Sequence, residues 1–161
     1  MILGFKTHWP DGRPTHFVEK ILANTRPWYF HDYTPKIHTV RAGDRWPLRQ
    51  RWQPGQIIHM ATGVRTKNYQ QFNQEEIIWG CTRNTNVRAI QRIRIWSDGE
   101  DSTCLLGPAD APFLTEAQRE YFARNDGFES WAELLTWFFP KGSGHFSGII
   151  IHFTDFIYPE S

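Results

Sequence analysis

Residues 87–96 constrain the fold more than any other stretch of this chain. Val87, Ala89, Gln91, Ile93 and Ile95 alternate with Arg88, Ile90, Arg92, Arg94 and Trp96. Successive strand side chains point to opposite faces, so the pattern predicts a strand with an apolar face and an outward arginine stripe. Residues 146–153 predict a closing strand, and Ile149, Ile150 and Ile151 are too apolar for either of its faces to meet water. Further strands are expected at 2–5, 36–41, 56–61 and 77–82. Helices are expected at 15–24, 115–123 and 129–139, the second opened by Thr115 as a cap and separated from the third by Asn125-Asp126-Gly127. Residues 25–35, 42–55, 62–75 and 98–112 read as loops, with turn signals at Gly43-Asp44 and Pro54-Gly55. Mostly sequential strands joined by loops point to an α+β fold, a mixed sheet or small β-barrel with flanking helices.

At 161 residues the chain is expected to form one domain over 1–161, large enough for a real core. Two cysteines, Cys81 and Cys104, make no disulfide framework and read as reduced thiols of an intracellular, cytoplasmic protein. No signal peptide is read at the N-terminus, and no apolar run reaches membrane-spanning length. His38, His59 and His152 fall in expected strands, but no paired-histidine motif or CxxC accompanies them. No metal or cofactor is therefore expected, and the glycines lack phosphate-loop spacing.

The charge is polarised. Residues 1–96 carry 15 Lys and Arg against 6 Asp and Glu, a net +9, whereas residues 97–161 carry 3 against 11, a net −8. This favours an anionic partner on one side of the molecule or internal neutralisation between two layers of one fold.

The chemistry concentrates in Lys36-Ile37-His38-Thr39-Val40-Arg41. A regular strand would point Lys36 and Thr39 to opposite faces. Pro35 disfavours a regular strand there, so Lys36 can sit in a lead-in turn and reach round to Thr39. A desolvated lysine beside a threonine hydroxyl is a base–nucleophile pair. The alternative is an exposed lysine before an ordinary strand.

Three other groups bear on ligands. Arg88, Arg92 and Arg94 suit phosphates along an extended strand, or a solvated face paired with Glu116, Glu120, Glu129 and Glu133. Arg65, Lys67 and Tyr69 lie in a loop, running to Phe72, whose mix of cations, amides and aromatics suits single-stranded nucleic acid; its aromatics can equally anchor the loop to the core. Trp28, Tyr29, Phe30 and Tyr33 can form a lid on a base-sized pocket or pack onto the barrel.

Several of these motifs together resemble the ASCH family of small PUA-like barrels. They are Glu19-Lys20-Ile21-Leu22-Ala23, the strand motif Lys36-x-x-Thr39-x-Arg41, Pro54-Gly55-Gln56-Ile57-Ile58, the segment Ala123-Arg124-Asn125-Asp126-Gly127-Phe128, and the apolar closing strand. The resemblance covers most of the chain. It implies a PUA-like mixed β-barrel with flanking helices, and recognition of nucleic acid or modified nucleosides. One branch, the bacterial acetylcytidine amidohydrolases, uses a lysine, a threonine three residues later and a later glutamate as its proposed triad. These positions fall on Lys36, Thr39 and Asp126, the last an aspartate and so one methylene shorter. The aromatic loop before Lys36 and the longer loop 62–75 also depart from that branch.

The sequence thus leads to a PUA-like domain that recognises a nucleoside or single-stranded nucleic acid, with RNA the expected polymer, beside Lys36, Thr39, Arg41 and Asp126. The alternative is an amidohydrolase acting on an acylated base. A third reading is an interaction module whose pocket has lost its ligand. A buried, neutral Lys36 near the Thr39 hydroxyl would favour catalysis; an exposed or salt-bridged one would favour binding.

Overall fold

The computed structural model describes residues 1–43, 51–73, 76–78, 81–83 and 85–159. The fold is α+β. Its centre is a four-stranded sheet of β2 (His38–Ala42), β9 (Gly144–His152), β7 (Ala89–Ser97) and β8 (Ser102–Leu106), in that spatial order. All its pairings are antiparallel. A second sheet joins β1 (Ile2–Gly4), β3 (His59–Thr62) and β4 (Gln70–Gln71), with β1 and β3 parallel. β5 (Glu76–Ile78) and β6 (Cys81–Arg83) form a separate antiparallel pair. Among the described residues these sheets do not close into one barrel.

The alternation expected for residues 87–96 holds. Gln91, Ile93 and Ile95 are buried, while Arg92 and Arg94 are half-buried rather than displayed as an open stripe. Register explains why. Arg92 pairs with Ile149, which pairs in turn with Arg41. Directly paired residues share a face, so Arg92 lies on the Thr39 and Arg41 face, with the buried Ile149 between the two arginines. Ile149, Ile150 and Ile151 are all buried, as their composition requires of a strand covered on both faces.

Some elements differ from the sequence reading. β8 falls inside the expected loop 98–112. Its Cys104, Leu105 and Leu106 are buried, and burial pushes the Cys104 thiol up to about 12. The strand expected at 77–82 overlaps two short strands, β5 and β6, which pair antiparallel; Trp79 and Gly80 lie outside the described residues. The strand expected at 56–61 begins only at His59, because Ile57 bridges Asn86 and the Ile58 amide bonds the Thr85 carbonyl. The loop expected at 62–75 contains β4. Asp44 of the expected turn lies outside the described residues.

Helix α1 (Phe17–Leu22) starts later than expected, after His16 at φ 54°. Thr15 instead ties the chain back to the Lys6 carbonyl through its hydroxyl. Helix α2 (Glu116–Asn125) has the cap expected at Thr115: its side chain accepts from the Gln118 amide while Gln118 accepts from the Thr115 amide. Helix α3 is Trp131–Phe138, capped by Ser130. Among the described residues no helix is long and apolar enough to cross a membrane.

The charge polarity is in part internal neutralisation. Arg13 meets Glu133, Lys20 meets Glu129, Lys36 meets Asp126 and Arg88 meets Asp155. Each pair joins the basic first part of the chain to the acidic second part.

Candidate functional site

Lys36 is held before the regular strand begins. Its amide bonds the Lys20 carbonyl of α1 at 2.9 Å, and its own carbonyl accepts from Asn24 Nδ2 at 2.8 Å. The next amide, of Ile37, bonds the Asn125 carbonyl at the end of α2. The lead-in after Pro35 is thus pinned between two helices, and this aims the Lys36 side chain at the C-terminus of α2.

That terminus is built to receive it. The Phe128 amide bonds the Ala123 carbonyl, and the Gly127 amide bonds that of Arg124, the pattern of a Schellman cap. Gly127 has φ 90°, and a Cβ there would lie 3.0 Å from Lys36 Cδ and 3.2 Å from Phe17. Only glycine allows both the turn and the approach of the lysine. Lys36 Nζ donates to the Asp126 carbonyl and to its carboxylate, Nζ to Oδ1 being 2.5 Å. A cation at a helix C-terminus is favourable, and here it also offsets an acid at the end of the dipole that disfavours one.

Both partners are almost wholly enclosed, Lys36 at 2% and Asp126 at 3% exposure. Burial pushes Lys36 down from 10.5 to about 8, against the upward pull of Asp126. Burial opposes the charge on Asp126 too, but Lys36 and His38 more than offset this, and its carboxyl lies below the usual range. The site therefore holds an ionised acid beside an ammonium that releases its proton far more readily than a free lysine.

Lys36, Thr39, Arg41 and Asp126 line one cavity of about 220 Å³, so the structure brings the expected core of the site together. The cavity is smaller than the roughly 300–1,000 Å³ typical of drug-sized ligands. Phe5, Phe17, Phe128, Trp137 and Phe138 supply its walls, and Lys6 stands at its margin. Phe17, Phe128 and Trp137 pack edge to face or tilted, with centroids 5.5–5.9 Å apart. Lys36 Nζ lies 4.8 Å from the Phe17 ring centroid. Arg41 donates to the Gly4 carbonyl at 2.6 Å and to that of Val40 at 3.1 Å, and sits over Phe5.

Behind Asp126 runs a buried polar chain that the sequence reading did not assemble. Asn125 Nδ2 donates to the Tyr158 hydroxyl at 2.9 Å, and that hydroxyl lies 2.8 Å from His38 Nε2. His38 Nδ1 faces Asp126 Oδ1 at 3.5 Å, an electrostatic contact rather than a well-formed hydrogen bond. Burial keeps His38 below its usual pKa despite Asp126 and raises that of the Tyr158 hydroxyl. A neutral His38 that accepts from Tyr158 at Nε2 carries its proton on Nδ1, toward the carboxylate. His38 points away from Thr39, as strand alternation requires, yet acts on the same site through Asp126.

The other expected ligand residues lie elsewhere. Arg65, Lys67 and Tyr69 are exposed on the connection between β3 and β4, outside the cavity. Arg88 is exposed and paired with Asp155, and Arg92 and Arg94 do not line the cavity. Trp28 and Tyr29 are 74% and 76% exposed and form no part of its wall. His38 and His152 face each other across β2 and β9, ring centroids 5.6 Å apart, whereas His59 is exposed on the other sheet. No group of three metal-ligating side chains occurs among the described residues. The aromatic walls were missed because Phe17, Phe128 and Trp137 carry no motif. Only the position of Phe128, next to Asp126-Gly127, signals one of them.

Compared with protein-family models, with curated proteins and with solved structures, the chain matches none of them.

Proposed function

We propose that this chain recognises a nucleobase-bearing ligand, a nucleoside or a nucleotide of a single strand, in the cavity floored by Lys36, Thr39 and Asp126. One observation carries the reading: a base-sized cavity with aromatic walls has a charged, hydrogen-bonding floor. Aromatic faces stack on a base, while Thr39, Arg41 and the Lys36–Asp126 pair read its polar edge. The resemblance to the PUA-like ASCH family supports the same reading. Lys36 donates to Asp126 through two hydrogen bonds, which favours its charged form and hence a binding role.

A second reading is hydrolysis of an acylated base. It is favoured by the lowering of Lys36 to about 8, within reach of a general base near neutral pH, in the same cavity as the Thr39 hydroxyl. In this reading a neutral Lys36 takes the hydroxyl proton as Thr39 attacks the acyl carbon, and passes it to the exocyclic nitrogen as the amide C–N bond breaks. Water then cleaves the acyl–Thr39 ester and releases the carboxylic acid, while Asp126 holds Lys36 in place.

A panel of nucleosides that includes acetylcytidine tests both readings when thermal shift and product formation are followed together. Stabilisation without turnover supports recognition. Turnover of the acylated nucleoside supports hydrolysis. Absence of any shift and any product from the whole panel overturns both.

A further inference from the structure

Lys36 and Asp126 neutralise each other, but two more cations line the cavity with no ion-pair partner among the described residues. Among the described residues Arg41 binds the carbonyls of Gly4 and Val40 and the face of Phe5. Burial lowers its pKa, with only Asp126 opposing this. Lys6 has the Trp137 ring 5.3 Å from its ammonium, and no carboxylate lies within 4.0 Å of either cation among the described residues. Both line the same cavity, and Arg41 Nη2 is fixed to the Gly4 carbonyl, two residues before Lys6. Among the described residues the cavity therefore carries an excess positive charge at its Gly4–Lys6 margin, and an arginine whose hydrogen bonds there go to two carbonyls has donors to offer an anion.

The same margin opens outward. Gly4, Phe5 and Lys6 also line a more open groove of about 400 Å³, completed by Thr7, His8, Gly63 and Val64. Gly63 and Val64 begin the connection that carries the exposed Arg65 and Lys67. A charged group leaving the cavity past Lys6 enters a groove that leads toward further cations.

We propose that Lys6 and Arg41 form a phosphate subsite, and that the ligand is a phosphorylated nucleoside rather than a free one. The proposal rests on the reading that a base occupies the cavity. The phosphate ester lies between the ammonium and the guanidinium, and the groove takes whatever continues beyond it.

Isothermal titration of the full chain tests this with four probes: a nucleoside, its 5′-monophosphate, a dinucleotide of the same base, and ribose 5-phosphate. The monophosphate is expected to bind roughly tenfold or more tightly than the nucleoside, the scale of one charge-assisted contact. Lys6→Gln should reduce the ratio of monophosphate to nucleoside affinity to less than about threefold, the ratio being taken within the variant so that any change in nucleoside affinity cancels. Lys6 is exposed, so folding is not at risk. Further tightening by the dinucleotide identifies a strand as the source of the phosphate; equal affinity identifies the free monophosphate. Equal binding of nucleoside and monophosphate overturns the subsite but leaves base recognition standing. Binding of ribose 5-phosphate as tight as that of the nucleotide, lost in Lys6→Gln, supports the subsite and overturns base recognition.

Discussion

The Lys36 ammonium and the Asp126 carboxylate lie 2.5 Å apart, each with almost no access to solvent. An ion pair in such a place is tolerated only because each member satisfies the other. Removing one leaves an uncompensated buried charge. Asp126→Asn is therefore expected to destabilise the fold by about 3–5 kcal/mol at neutral pH, and Lys36→Met/Asp126→Leu by far less. Urea denaturation measures both. A loss below about 1 kcal/mol in Asp126→Asn would place the pair on a solvated surface, contrary to the structure.

The pair also sets a pH dependence. Lys36 titrates near 8 when folded and at 10.5 when free, so between these values the unfolded chain binds more protons and stability rises with pH. Asp126 titrates below its free value of 3.8, so its contribution is present above that pH and is lost as pH falls toward the folded value. Relative to Lys36→Met/Asp126→Leu, the wild type should gain stability from about pH 8 to 10 and lose it below about pH 4. Denaturation midpoints across this range give the difference curve. A flat difference at both ends contradicts the assignment.

Gly127 is where backbone and site meet. Gly127→Ala puts a Cβ on a residue at φ 90°, against Lys36 and Phe17. The expected cost exceeds about 1 kcal/mol, because strain in the turn adds to displacement of the lysine. Thermal melts and ligand affinity should both fall. An unchanged melting temperature would mean that the turn relaxes without moving Lys36.

Much of this arrangement was legible in the sequence. The alternation of β7 and the isoleucine run of β9 follow from side-chain period and burial alone. Pro35 before Lys36 signalled that the lysine leaves the strand register and joins Thr39 despite the odd spacing. Asp126-Gly127 signalled the helix stop that presents the acid. The rest depends on contacts between segments far apart in the chain. β8 was hidden because Ser102 and Thr103 look loop-like until Cys104, Leu105 and Leu106 are seen against β7. The arginines of β7 looked exposed because sequence shows a face but not what covers it. His38 and Tyr158 are 120 residues apart, and no local pattern joins them.

That link makes its own prediction. Tyr158→Phe removes a hydroxyl that both Asn125 and His38 use, leaving two buried polar groups short of a partner. The cost should be about 1–3 kcal/mol of stability. His38 loses the neighbour that fixes its tautomer, which nitrogen-15 chemical shifts of the ring report. An unaltered tautomer in Tyr158→Phe would show that Asp126 alone orients the ring.

The central claim is that the cavity at Lys36, Thr39 and Asp126 binds a nucleobase. Isothermal titration of the wild type and of Thr39→Ala with nucleosides and their monophosphates, with the acylated nucleoside checked for product, tests it most directly. The account predicts saturable binding at one site per chain, weakened by about 0.5–1.5 kcal/mol in Thr39→Ala, with the acylated nucleoside recovered intact. Absence of saturable binding for every nucleoside and nucleotide would contradict it.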